Sequence, residues 1–373
     1  MIGNVAAHSP TASEDELLRC CGRVRVDDLT AERVEQLAGR PLDWNVVFEK
    51  SWWHRIRPLT YQHLCAHVRA HVPDRVLGLF GEHVAELNER NRRLHRGLLD
   101  VASYFEQAGI RLLTFKGPTL AIDAYGDLSL RECGDIDLLL HRDDLAAASD
   151  VLRSHGFESA WDVRQPEIAD RVFACEFDRS GVQLDVHWDL APGWLNYRVD
   201  FDELWESGIP IVDGMSYVRK IRPEDSMAVL CVHGAKHWWE RLRWIGDIAE
   251  LIHSGQIDDW DRVELAASRV HGRRSVHLGL WLARSLLGAR LPEDVSRRLR
   301  RQRGVDRLGR QVACWLDRAE QAASGRSLRD RFAFRMGLCE RWRDRAPQIW
   351  RYLRERPAGT VGAGSRRGVT PRR

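Results

Sequence analysis

Leu112-Leu113-Thr114-Phe115-Lys116-Gly117-Pro118, then Arg131, then Asp135-Ile136-Asp137-Leu138-Leu139-Leu140, is the stretch whose reading decides the fold of this 373-residue chain. Residues 111–115 follow Gly109, lack helical spacing and are mostly apolar, which marks a buried strand. Pro118 suits the first turn of a helix, where its φ is preset and its missing N–H would have had no partner. That helix runs to about Tyr125, and Gly126-Asp127 ends it. Residues 135–140 read as a second strand. Alternation along it sends Asp135 and Asp137 to one face and Ile136, Leu138 and Leu140 to the other.

Working outward, Asp143-Asp144 opens a helix to His155, acids at its N-terminus suiting the dipole, and Gly156 stops it. Residues Phe173–Asp178 and Val182–Asp189 read as a hairpin across Arg179-Ser180-Gly181. In its second arm Gln183, Asp185, His187 and Asp189 share a face. The order β-α-β-α-β-β predicts a small mixed sheet with helices on one face, an α+β fold. Residues 14–110 read as an N-terminal helical region, 111–222 as the core, and 223–356 as a C-terminal helical domain. The spacing there predicts helices over 223–237, 241–254, 258–270, 273–288, 292–302, 304–320 and 328–353. Residues 1–13 and the basic tail 357–373 read as disordered.

A hydrophobic content of 44% and a charged content of 30% are those of a soluble globular protein. No apolar run reaches the ~18–20 residues of a membrane span, and the N-terminus lacks a signal-peptide pattern. The net charge is +3, and Arg366, Arg367, Arg372 and Arg373 of the tail account for it. The body is therefore near neutral, which disfavours long nucleic acid as a partner. Eight scattered cysteines without a C-x-x-C pair point to a reducing, cytoplasmic location rather than a disulfide framework or a zinc site.

If the strand at 182–189 lies beside 135–140, then Asp135, Asp137 and Asp185 converge. Three carboxylates repel one another unless a divalent cation sits among them. Mg²⁺ is held by a few carboxylates together with water and phosphate oxygens, so a nucleoside triphosphate is the natural companion. A pair of such ions stabilises both the attacking and the leaving oxygen of phosphoryl transfer. An isolated Asp-x-Asp at a strand end is more often a solvated edge. The glycine turn, Arg131 and the third acid argue for chemistry here.

The segment 112–157, with Lys116-Gly117, Tyr125-Gly126-Asp127, Arg131, Asp135-Ile136-Asp137 and Gly156-Phe157, resembles the polymerase-beta-like nucleotidyltransferase superfamily, in particular its bacterial branch with Lys-Gly in this place. The resemblance extends to Leu184-Asp185-Val186-His187-Trp188 and to His233 … His237-Trp238 … Trp244 … Asp247-Ile248, covering about residues 40–260. It implies that Asp135 and Asp137 hold two metal ions, Mg²⁺ or Mn²⁺. Asp185 would bind the catalytic metal and help deprotonate an acceptor hydroxyl. Gly117 would lie against the triphosphate at a helix start, where free N–H groups attract anions. Lys116 and Arg131 would neutralise phosphate charge. The implied donor is an NTP, ATP being expected, and the acceptor a hydroxyl of a small molecule, peptide or protein.

Two departures stand out. Pro118 replaces the serine of the usual Gly-Ser, so Thr119 is the substitute hydroxyl, and the 18-residue step from Gly117 to Asp135 is long for the superfamily. A second reading therefore stands beside the enzyme: an inactive nucleotide-binding or partner protein with the same fold. Lys236 is within reach of a phosphate. His187, His237 and Asp247 are assigned to the substrate pocket, with a structural histidine at 187 and a pairing of the later histidines with Asp247 left open. His233 and His237, at i and i+4 on a helix, give a third reading as a zinc site, without the glutamate of H-E-x-x-H.

Overall fold

Six strands form one mixed sheet in a computed structural model that describes residues 12–165, 167, 172–317 and 327–355. Five helices precede it: α1 (Ala12–Cys20), α2 (Asp28–Ala38), α3 (Trp44–Trp53), α4 (Arg57–His67) and the long α5 (Asp74–Ala108). Gly109, in the left-handed conformation at φ 66, ends α5 and turns the chain into β1 (Leu112–Thr114). Then come α6 (Gly117–Tyr125), β2 (Ile136–Leu140), α7 (Leu145–Ser154), β3 (Ala174–Arg179), β4 (Val182–His187), α8 (Phe201–Ser207), β5 (Ile209–Pro210) and β6 (Val218–Lys220). The described residues that follow form helices: α9 (Pro223–Lys236), α10 (Leu242–His253), α11 (Trp260–Arg269), α12 (Arg273–Leu287), α13 (Glu293–Arg300), α14 (Val305–Leu316), α15 (Leu328–Leu338) and α16 (Arg345–Glu355). The fold is α+β, as the order of elements predicts.

Strand order across the sheet is β3-β4-β2-β1-β6-β5. The neighbour relation that matters most is the parallel pairing of β2 with β4, whose register sets Asp137 directly opposite Asp185. β3 then returns antiparallel to β4 as a hairpin, with Glu176 opposite Asp185 and Asp178 opposite Gln183.

The two faces of the sheet belong to two buried clusters. On one, Leu112, Ile136, Leu138, Leu140, Leu184 and Val186 pack with Leu94, Leu98 and Phe105 of α5 and with Leu145 and Leu152 of α7. Gly97 lets α5 approach closely: a Cβ there would stand 2.5 Å from Val182. On the other, Leu113 and Leu139 join a cluster that also holds Leu17 and Leu18 of α1, Met227 and Leu230 of α9 and Ile245 and Ile248 of α10. Helices therefore cover part of both faces, where the sequence predicts one.

Three other expectations change. The segment between the hairpin and Pro223 contains two strands, β5 and β6, that the sequence reading leaves out; at two and three residues they are too short to show alternation. The helix predicted over 328–353 is two helices separated by a 3₁₀ turn at Trp342–Asp344. Ala12 and Ser13 open α1 rather than a disordered end; the remainder of the two predicted disordered ends, 1–11 and 357–373, lies outside the described residues.

Candidate active site

Each side chain of the site is placed by a local rule. β1 ends at Thr114, and the chain reaches α6 through Lys116 and Gly117. Gly117 has φ 53, and a Cβ on it would meet the Asp135 carbonyl oxygen at 2.7 Å. Only glycine fits both the left-handed backbone and that close approach. The packing of this turn on Asp135 brings Lys116 beside β2, where its Nζ lies 2.5 Å from Asp137 Oδ1 and 3.4 Å from His233 Nδ1.

Alternation along β2 and β4 sends Asp137, Asp185 and His187 to one face, away from the apolar side chains between them. His187 Nε2 stands 2.8 Å from Asp185 Oδ2 and 3.7 Å from Asp137 Oδ1. One ligand atom from each of these three residues lies within 4.8 Å of the others. His187 is buried, yet neither of its ring nitrogens has a well-aligned hydrogen-bond partner. Phe115 and Phe173 flank its ring at 5.5 and 6.1 Å.

The electrostatics follow from this crowding. Burial would raise the Asp137 carboxyl, but Lys116 and His187 outweigh it and hold the group well below the usual carboxylate range. Burial, and after it the charge of Asp137, pushes Asp135 up to about 6. Burial alone would lower His187; its contacts with Asp137 and Asp185 outweigh this and raise it.

A cleft of about 580 Å³ opens above the acids. Lys116, Asp185 and His187 line it from the sheet, and His233, Lys236 and His237 from the last turn of α9 and just beyond it. The site thus lies between the sheet and the helices after Pro223. Burial and then Lys116 bring Lys236 down to about 8. Burial and then Lys236 bring His237 down to about 3, and burial also holds His233 well below its ordinary value. Both histidines are neutral at pH 7. Among the described residues neither belongs to a group of three metal-ligating side chains, which leaves the zinc reading without support.

Other residues singled out in the sequence take different places. Asp135 immediately precedes β2 rather than lying on it, and it is not part of the converging ligand group. Thr119 is buried, its hydroxyl 3.0 Å from that of Thr114. Arg131 and Asp247 are both buried and form a two-pronged pair, Nε to Oδ1 at 2.8 Å and Nη2 to Oδ2 at 3.0 Å. The Tyr125 hydroxyl also donates to Asp247, at 2.8 Å. Asp247 is thus committed to Arg131 and Tyr125, not to the histidines, and neither Arg131 nor Asp247 lines the cleft. Conversely, Glu158, Trp161, Glu176 and Asp178 line it and are missing from the sequence reading. Alternation in the first arm of the hairpin would have found Glu176 and Asp178, which share the face of Asp185. Glu158 and Trp161 come from an irregular loop and have no sequence signal.

A family model described as uncharacterised nucleotidyltransferase matches residues 40–288, two thirds of the chain. The chain belongs to the uncharacterised nucleotidyltransferase family. No curated protein and no solved structure matches it. The family segment contains every residue of the cleft named above, from Lys116 to His237, and ends before α13. Membership in this nucleotidyltransferase family supports nucleotidyl transfer as the chemistry and an NTP as a substrate. No helix among the described residues is long and apolar enough to cross a membrane.

Proposed function

We propose that the protein transfers a nucleoside monophosphate, AMP from ATP, to a hydroxyl group, with Asp137 and Asp185 at the reacting centre. The observation that carries this reading is the register of β2 against β4: it sets the two carboxylates side by side, Asp137 buried beside Lys116 and Asp185 lining a cleft whose other polar residues include two lysines. That arrangement, on this order of strands, supports the polymerase-beta-like relationship.

The donor set fits a divalent ion. Two carboxylates and a buried imidazole converge, the imidazole's Nδ1 having no hydrogen-bond partner, and oxygen ligands suit Mg²⁺ or Mn²⁺. Asp137, Asp185 and His187 would hold it, with Asp135 close enough to feel the charge of Asp137. When bound, such an ion neutralises the charge that builds on the phosphoryl oxygens. Lys116 and Lys236 then take the triphosphate, as fixed ammonium groups facing the cleft. The acceptor oxygen bonds to the α-phosphorus as the α–β anhydride bond breaks. Pyrophosphate leaves with the electron pair, and the hydroxyl proton passes to the Asp185 carboxylate. Arg131 acts from behind: paired to Asp247, it donates to the Gly117 carbonyl at 3.3 Å and fixes the turn that carries Lys116.

The test uses α-labelled ATP with Mg²⁺ and cell extract. Asp137→Asn and Asp185→Asn are expected to lower label transfer at least a thousandfold, with circular dichroism unchanged. Transfer at the wild-type rate by either folded variant rejects the assignment. The inactive-partner reading makes a different forecast, no heat of binding with Mg²⁺ and ATP in calorimetry.

A further inference from the structure

The last helix is built inside out. On α16, Ala346, Ile349, Trp350 and Leu353 stand at i, i+3, i+4 and i+7, one stripe of the helix surface. In a helix that packs on a core such a stripe faces inward. Here it faces outward: Ile349 is 42%, Trp350 57% and Leu353 60% exposed, and Trp342, in the 3₁₀ turn just before the helix, is 83% exposed. The polar side faces the protein instead. Gln348 is buried, and its Nε2 donates to the Trp194 carbonyl at 2.7 Å. Asp344 is buried and accepts from the Asn196 side chain. The Arg351 guanidinium lies over the Trp194 ring, 4.0 Å from its centroid, and Tyr352 stacks on Phe332 of α15 at 4.3 Å. These contacts fix the roll of the helix, so the apolar stripe is held toward solvent.

What covers the stripe is decided by its charge and its size. Arg345 and Arg354 lie about a quarter turn to either side of it, and both are exposed, as are Arg341 and Arg343 just before. No ion pair joins any of the four to an acid among the described residues. A second copy of the chain would set arginines against arginines. It would also bring four large apolar side chains to an interface, where a stable protein contact uses ~20–30 residues a side. Residues 357–373 hold no apolar side chain larger than valine, so the chain's own tail has nothing to fill the stripe. An anionic bilayer meets both demands. Tryptophan rings settle at the level of the headgroups, aliphatic side chains reach just below them, and guanidinium groups bind phosphates through paired hydrogen bonds.

We infer that α16 lies flat on a bilayer that carries anionic phospholipid, with Trp342, Ile349, Trp350 and Leu353 in the interface and Arg343, Arg345 and Arg354 on lipid phosphates. The helix rests on the membrane and does not cross it: its 11 residues span about 16 Å, against a hydrocarbon core of ~30 Å. Arg366, Arg367, Arg372 and Arg373, with no acid among residues 357–373, add to the attraction, since a polybasic segment beside an amphipathic helix is drawn to an anionic leaflet. The face is separate from the nucleotide chemistry. No residue of α16 lines the cleft beside Asp185, and the helix lies beyond the residues that the family model matches.

The test is co-sedimentation of the full chain with two kinds of vesicle, phosphatidylcholine alone and phosphatidylcholine mixed with phosphatidylglycerol. Binding to the mixed vesicles is expected to be at least about tenfold tighter than to phosphatidylcholine and to weaken as salt screens the arginines. Trp350→Gln/Leu353→Gln, at two exposed positions, should weaken it by at least about tenfold with circular dichroism and thermal midpoint unchanged. Arg343→Gln/Arg345→Gln/Arg354→Gln should cut the preference for the mixed vesicles severalfold while the weak binding to phosphatidylcholine stays. Three results overturn the assignment. One is a wild-type chain that sediments with neither vesicle. Another is undiminished binding by the Trp350→Gln/Leu353→Gln variant, which would give the lipid to the basic tail alone. The third is a wild-type dimer in analytical ultracentrifugation that the same variant dissolves, which would give the stripe to a second copy.

Discussion

Burial in the roof of the cleft and the nearby charge of Lys116 bring Lys236 down to about 8, so near pH 8.5 most molecules carry this side chain uncharged. A bound triphosphate favours the ammonium form and moves the group back up. The sign follows: the complex holds more protons than the free protein, so binding at pH 8.5 takes up a proton and affinity falls as pH rises through 8. Calorimetry of Mg²⁺-ATP binding at pH 8.5 in buffers of different ionisation enthalpy is expected to show an uptake of up to about three quarters of a proton in the wild type and near zero in Lys236→Met. His233 and His237 do not contribute there, since both are already neutral well below pH 7. Equal uptake in the variant would assign the proton elsewhere. At this same scale, strand alternation made Asp137, Asp185 and His187 legible as one face, because period two is a local property. The place of Asp135, one residue before the strand begins, depends on where β2 starts pairing, and residue types do not encode that.

At the scale of elements, the turn between β1 and α6 is held by the long-range pair Arg131–Asp247, which ties that turn to α10. Residues 116 apart in the chain meet here, and no spacing rule foretells such a contact; Arg131 read as a phosphate ligand because its partner was invisible. Removing one member of a buried pair strands the other charge, at a cost of ~3–5 kcal/mol. Asp247→Ala is therefore expected to lower stability by about that much in urea titration, whereas a surface phosphate ligand lost from Arg131→Ala would leave the midpoint unmoved and change only the affinity for ATP. Gly117→Ala carries a separate penalty, a left-handed backbone plus a Cβ 2.7 Å from a carbonyl oxygen. It should displace Lys116 and cost transfer even where the fold survives, visible as a lower kcat with circular dichroism unchanged. The elements that the sequence hides, β5 and β6, are likewise products of pairing: three residues of β6 are held by running parallel to β1.

At the scale of the whole molecule, the periodicities divide the chain at about residues 110 and 222, but the packing draws all three stretches together. Leu17 of α1, Leu139 of β2 and Ile245 of α10 sit in one buried cluster, and Arg23, just after α1, donates to Glu250 on α10 at 3.0 Å. Composition and local period cannot report this, since an apolar helical face looks the same whichever neighbour covers it. The consequence is cooperative unfolding. Removing the side chain of a fully buried leucine costs ~2–5 kcal/mol when the cavity stays open, and a shared core passes that loss to every element built on it. Leu17→Ala, far along the chain from Lys116 and Asp185, is therefore expected to shift the thermal midpoint of helical signal and of Mg²⁺-ATP binding together, by the same number of degrees. A first transition that removes helix content while nucleotide binding persists would show that the N-terminal helices are a separate unit, and that the cleft stands on the sheet and the C-terminal helices alone.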